Sequence, residues 1–318
     1  MNNKEIWLVG AGEMGLEYAK VLDALNLNFK VIGRSLDKKR LFEKFNCEFV
    51  SGGIEKHIKS CEIVPCKVIV AVGVEVLKDV AISLINFGVK NIMLEKPGVA
   101  YLQEIDELYY HAEKKNINLL IAYNRRFYAS VIKAIEIIEK DGGLSSFNFE
   151  FTEWSHLIKD LDKHPAEHQN WFLGNSTHVI DTAFYVAGEI DKISTFYNNS
   201  DQLSWHKKAT NFSGAGITKS KALFSYCANW QAPGRWSIEF LTKKHRLVLR
   251  PMEKLQIQEI GSVKINYFEG IDYSLDEKFK PGLYLQTKAF LGNKFEDFCT
   301  INKQRINVID IYSKISGY

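Results

Sequence analysis

The sequence predicts an α/β protein in two parts, a doubly wound domain over residues 1–123 and an α+β domain over 124–318. Three observations predict it. Over the first 123 residues, short and nearly all-apolar strands alternate with amphipathic helical stretches, as in a parallel sheet covered on both faces. A glycine turn joins the first strand to the first helix. From residue 147 onward several segments alternate large apolar with polar residues, as antiparallel strands with one face on a core do.

Taken in order, strands are expected at 6–10, 29–33, 67–72, 91–95 and 119–123, with helices at 13–26, 36–46, 76–87 and 101–115. A helix at about 128–141 leads into FNFEFTEW (147–154), ALFSYCANW (222–230) and SIEFLT (237–242). RLVLRP and KLQIQEI read as antiparallel partners, and helical stretches near 285–299 and 305–315 close the chain. Hydrophobic residues at 46% and charged residues at 25% describe a soluble globular protein, and 318 residues suffice for two cores. A net charge of +3, from 41 basic and 38 acidic residues, is too slight to suggest nucleic acid. No apolar run approaches a membrane span, and a strand beginning at residue 6 leaves no place for a signal peptide. The five cysteines show no metal-ligand spacing, and their odd number fits a reducing cytoplasm.

VGAGEMG places Gly10, Gly12 and Gly15 in a GxGxxG turn after the first strand, with Glu13 and Met14 opening the helix. Gly10 permits the turn, Gly12 admits a pyrophosphate to the backbone, and Gly15 lets helix and strand approach closely. The helix N-terminus offers N–H groups and a favourable dipole to phosphates, so the turn predicts dinucleotide binding. The second strand ends VIGRSLD, where an acid would accept the ribose 2′-hydroxyl of NAD. Gly33, Arg34 and Ser35 stand there instead. A guanidinium fork and a hydroxyl suit a 2′-phosphate, which favours NADP over NAD, although an exposed arginine beside a serine helix cap has the same sequence.

The fifth strand runs into MLEKPGVA, bringing Glu95, Lys96 and Pro97 to the strand end where cofactor crevices form. A lysine there can bond a substrate hydroxyl; Lys-Pro by itself equally well just ends a strand. AYNRRFY follows the next strand. Asn124 and Arg125 are candidate substrate contacts, whereas a structural role between the domains weighs more for Arg126. WFLGNSTHVIDTAFYVAG (171–188) sets His178 and Asp181 on the first turn of an apolar helix that Asn175 or Ser176 can cap. Burying either group costs stability unless it is paired, and a lone His-x-x-Asp is more often a satisfied core pair than a site.

In combination and in this order, the N-terminal GxGxxG, the EKP, the NRRF and the HVID resemble the Gfo/Idh/MocA oxidoreductases. The resemblance implies a Rossmann domain, an open-faced, mostly antiparallel C-terminal sheet, and NAD(P)-dependent hydride transfer. The implied substrate is a secondary alcohol or ketone of a sugar, cyclitol or nucleotide sugar. It implies that Lys96 and His178 carry catalysis, His178 handling the hydroxyl proton and Lys96 bonding the same oxygen, with Asp181 orienting the histidine and Asn175 near a substrate hydroxyl. One position departs from the pattern: Gly174 stands where such sequences often have an aspartate. Asp162, His164, Glu167 and His168, in a loop before it, are candidate substitutes. Two rivals share the plan, a non-catalytic NADP-binding sensor and a reductase of an imine or bilin-like substrate; the sensor predicts loss of Lys96 or His178, and both are present. Phe224, Tyr226, Trp230, Ile238 and Phe240 are expected to leave an apolar sheet face that joins subunits into a homodimer or homotetramer.

Overall fold

The computed structural model describes residues 5–198 and 203–317. It divides into two compact units. The first comprises the chain up to Asn124 together with Lys278–Val308, and the second comprises Arg125–Glu277 and the residues from 309 onward.

The first unit is a doubly wound sheet. Strands β1 (Ile6–Val9), β2 (Phe29–Gly33), β3 (Cys47–Ser51), β4 (Lys67–Val70), β5 (Asn91–Glu95) and β6 (Asn118–Ala122) are all parallel, in the order β3-β2-β1-β4-β5-β6. All four residues of β1 are buried, as a strand covered on both faces requires. Strand order reverses between β1 and β4, the place where such sheets open a ligand crevice. The helix Glu13–Ala24 returns directly from β1. A Cβ on Gly15 would collide with the carbonyl oxygen of Gly10, so helix and turn meet as closely as backbone allows.

Two features differ from expectation. The helix expected at 36–46 is a set of turns around a short 3₁₀ stretch, Lys39–Leu41, followed by β3 and the helix Gly53–Ser60. Of its apolar residues only Phe42 is fully buried, while Leu36 and Leu41 lie largely in solvent, so no continuous stripe supports a helix. The single cut at 123 is also corrected, because Lys278–Val308 returns to the first unit. Its helices, Leu283–Leu291 and Ile301–Asn307, flank an edge strand, Cys299–Thr300, that pairs antiparallel with β6. Lys67, buried at the start of β4, donates to the carbonyl of Phe290 and to Asn293 and lies over the Phe290 and Phe295 rings.

The second unit holds an eight-stranded sheet of β7 (Ser146–Glu150), β8 (Ile190–Asn198), β9 (Asn211–Thr218), β10 (Leu223–Asn229), β11 (Ser237–Leu241), β12 (His245–Leu249), β13 (Gln256–Glu259) and β14 (Asn266–Tyr267). Their order is β14-β13-β12-β11-β7-β10-β9-β8, antiparallel throughout except for the β7–β10 pair. The period-two residues of β7, β10 and β11 do not face outward as an aromatic patch. Phe147, Phe149, Phe224, Tyr226, Ile238 and Phe240 are all buried. Phe184, on the helix Thr177–Ala187, meets Phe147, Phe149 and Phe224 edge-on at 5.2–5.8 Å. Trp230, just past β10, is 1% exposed. These residues form the unit's own core. The opposite face carries Ser213, Ala215, Ser225 and Cys227, with Phe196 and Leu223 exposed beside them. Among the described residues no helix is long and apolar enough to cross a membrane.

Candidate functional site

In the first unit the glycine turn opens a cleft of about 470 Å³ at the reversal of strand order. Gly10, at φ +115°, donates its N–H to the carbonyl of Ile32, and a Cβ there would strike the carbonyl of Ala71. A Cβ on Gly12 would meet nothing within 4 Å, so its backbone borders open space in the cleft wall. That wall fits a dinucleotide, because N–H groups at a helix start can be approached by phosphate without side-chain obstruction. At the far rim stand Arg34, Ser35 and Lys38. Arg34 is exposed, and Ser35 donates to Asp37 at 2.8 Å. Gly33 has no room for a side chain, since a Cβ would press on the Phe49 ring at 2.8 Å. Glu13 is exposed, Met14 is half-buried, and Gly15 serves helix packing; none of the three lines the cleft.

Glu95, expected at the cofactor, is engaged by an internal partner. It is 8% exposed and accepts from the Tyr18 hydroxyl at 2.8 Å. Burial raises its pKa, with the neighbouring Lys96 charge opposing that shift, and burial together with the Glu95 charge pushes the Tyr18 phenol up. The turn after β5 closes with the Gly98 N–H on the Glu95 carbonyl, and the Lys96–Pro97 bond within it is cis. Gln304 donates to the carbonyl of Pro97 at 2.8 Å and bonds the Tyr123 hydroxyl at 3.1 Å, so this turn is held from the returning segment. Lys96 is half-buried on it. Asn124 is buried and donates to the carbonyl of Pro281 at 2.9 Å.

In the second unit His178 is 6% exposed on the first turn of Thr177–Ala187, its ring 6.0 Å from that of Trp236. Asp181 does not orient it. Both Asp181 oxygens accept from Arg126, at 2.8 and 2.6 Å, and the pair is almost wholly buried. Arg126 therefore has a structural role, but within the second unit and not between the domains as weighed, and Asp181 belongs to it. Nor do Asn175 and Ser176 cap the helix. The chain is already wound as a π-helical turn over Phe172–Ser176, a form that recurs at functional sites, and it runs on without a capping bond. Asn175 and Ser176 instead donate to Glu153, at 3.0 and 2.8 Å.

Glu153 was not singled out in the sequence, though a signal existed. It continues the inward register of Phe147, Phe149 and Phe151, an acid in line with three buried rings. It is 1% exposed and also takes the Trp236 indole N–H at 3.3 Å and Arg235 at 3.5 Å. Arg235 and Arg125 each lie over the Trp236 ring, at 4.5 and 4.6 Å. Burial pushes the Glu153 carboxyl up to about 7, against the lowering effects of Ser176, Arg235 and the Trp171 and Trp236 indoles. The candidates proposed for the missing acid have varied surroundings. His164 caps the helix Pro165–Gln169, Glu167 pairs with Lys163 at 3.1 Å, His168 lies among Trp171 and Trp205, and Asp162 is exposed.

No family model matches the sequence, and no curated protein matches it. Solved structures do. A proposed NADPH-dependent oxidoreductase from Desulfitobacterium hafniense superimposes with a TM-score of 0.79 at 15% identity, covering 100% of this chain and 96% of its own. Levoglucosan dehydrogenase in complex with NADH and levoglucosan gives 0.75 at 18%, covering 99% and 96%. The UDP-N-acetylglucosamine 3-dehydrogenase of Acidithiobacillus ferrooxidans gives 0.71 at 14%, covering 100% and 99%. At these identities the likeness establishes the fold: a Rossmann-like parallel sheet followed by a mostly antiparallel one, over the whole chain.

The raised carboxyl of Glu153 makes stability depend on pH. In the unfolded chain it titrates near 4.5 and in the folded chain near 7, so the folded state holds the extra proton between these values. Stability contributed by this group is complete below pH 4.5 and is lost as pH rises through 7, by about 3 kcal/mol. Thermal denaturation of wild type and Glu153→Gln across this range is expected to show the variant gaining on the wild type as pH rises. Parallel curves would contradict the assignment.

Proposed function

We propose that the chain is an NAD(P)-dependent oxidoreductase of the Gfo/Idh/MocA type, acting on a secondary alcohol or the matching ketone of a sugar, cyclitol or nucleotide sugar. The observation that carries this reading is the cleft at the strand-order reversal, walled by the Gly10–Gly12 turn and open at the Gly12 backbone. The dehydrogenases sharing the fold, one holding NADH with levoglucosan and one acting on UDP-N-acetylglucosamine, support the substrate class. NADP is the proposed cofactor. Arg34 and Lys38 place two cations on a rim where Gly33 excludes an acidic side chain, a setting for a 2′-phosphate.

Bound nicotinamide supplies the hydride acceptor or donor. The chain's residues bind and move protons around that chemistry. The Gly10–Gly12 backbone and the start of Glu13–Ala24 would hold the pyrophosphate, and Arg34 with Ser35 would hold the adenosine end. His178 is assigned the substrate hydroxyl proton, because an imidazole titrates in the range general acid–base work needs. Lys96 is assigned the stabilisation of negative charge developing on the substrate oxygen. Arg125, held over Trp236 beside His178, is retained as a substrate contact. The sheet face bearing Ser213, Ala215 and Ser225 between Phe196 and Leu223 is proposed to join copies of this chain, in place of the buried aromatic face.

Three outcomes are expected. NADPH binds about ten-fold or more tightly than NADH, since a charge-assisted contact contributes about 1.5–3 kcal/mol. Arg34→Ala removes the difference in fluorescence titration; equal affinities in the wild type would refute the NADP assignment. His178→Asn keeps the fold and NADPH affinity but lowers turnover by about 10²–10⁴-fold on a sugar found by screening, and Lys96→Met does the same. Near-normal turnover in either variant would remove that residue from the chemistry. Light scattering at micromolar concentration gives a multiple of the chain mass, and a monomer would rule out the proposed face.

A further inference from the structure

Four features of the second unit converge on one carboxyl group. Glu153 has left the open sheet and lies buried where β7 ends. It accepts from Asn175 and Ser176, two of the three residues preceding His178. Its third donor, the Trp236 indole, belongs to the ring that faces His178. The segment carrying Asn175 and Ser176 is wound as a π-helical turn, a form found frequently at functional sites. A buried acid with donors taken from both the backbone run and the ring beside one histidine exceeds what core packing asks for. An apolar residue would fill the space without a desolvation cost.

We propose that Glu153 is a positioning residue for His178, holding the 172–176 turn and Trp236 against the imidazole and supplying the negative charge that favours its protonated form. The inference rests on the assignment of His178 as the proton-transfer group. Other charges face the same region. Arg235 touches Glu153, and Arg125 lies across Trp236. Asp181 and Arg126 cancel one another on the next turn of the helix, with Tyr185 over the Arg126 guanidinium. Both guanidiniums oppose an imidazolium, and Glu153 is an acid placed to offset them. A carboxylate titrating near neutrality beside a histidine then couples two protons, and the pair titrates with shared macroscopic midpoints. Ionised Glu153 would leave His178 the stronger base; protonated Glu153 would let it release its proton more readily.

The test does not need the substrate. In the full chain labelled with ¹³C-histidine, the His178 resonance is identified by its absence from His178→Asn and followed from pH 5 to 9. In wild type it is expected to show two inflections, one from its own proton and one from Glu153. In Glu153→Gln it should collapse to a single curve with its midpoint lower by about half a unit to one unit. Should Glu153→Gln not fold, the wild-type curve decides alone, since a single inflection overturns the proposal. An unchanged midpoint in a folded Glu153→Gln also overturns it. With a sugar substrate in hand, Glu153→Gln should lower kcat at least ten-fold, move the acid limb of its pH profile to lower pH and leave NADPH affinity unchanged, with Glu153→Asp restoring part of kcat. Coupled titration without turnover on any sugar would retire the oxidoreductase reading and leave the positioning role standing. Turnover that needs His178 but not Glu153 would do the reverse.

Discussion

Charge buried in an apolar unit has to be answered by partners in fixed places, and this constraint organises the second unit around the helix Thr177–Ala187. Two of its buried carboxyls lie at this helix, and they are answered differently. Asp181 receives a bidentate guanidinium from Arg126, a geometry that compensates both charges and binds the helix to the segment entering the unit. Glu153 receives mainly neutral donors and one guanidinium at the limit of contact. Its ionised form is therefore undercompensated, and its carboxyl titrates near neutrality. The same helix is thus pinned by one silent ion pair and bordered by one responsive acid.

Much of the fold could be read from the sequence because burial leaves a period. The five strands β1, β2, β4, β5 and β6 were visible as apolar runs, and β7, β10 and β11 as alternations. β3 was missed because it is half-buried, with a pattern neither wholly apolar nor cleanly alternating. β8 and β9 were missed as well, and the inward positions of β9 explain part of that: Gly214 and Gly216 lie under the Tyr226 and Phe224 rings, so the strand shows glycine where a pattern search wants bulk. The return of Lys278–Val308 to the first unit depends on tertiary contacts such as that of Lys67 with Phe290, which no local pattern records.

The cleft was legible for a different reason. Its wall is backbone, and the sequence marks such walls by the residues it must omit. The second unit's polar cluster was legible only in part. His178 and Asp181 stood out as polar residues on an apolar helix, but spacing suggested they served one another. Asp181 is answered by Arg126, and Glu153 takes the side chains of Asn175 and Ser176 just before His178; both come from elsewhere in the chain, and only the register of FNFEFTE hinted at the second.

The interleaving of the two units bears on how the chain is made. The first unit receives its edge strand, and the partners of Lys67 and Pro97, only from residues 278–308. During synthesis the glycine-walled cleft can therefore be outlined early, while the sheet stays open at β6 until residues 278–308 have emerged. An unpaired strand edge is a site for adventitious pairing with other chains. The nascent protein carries such an edge while the whole second sheet is being made, because the segment that seals it follows that sheet in the chain.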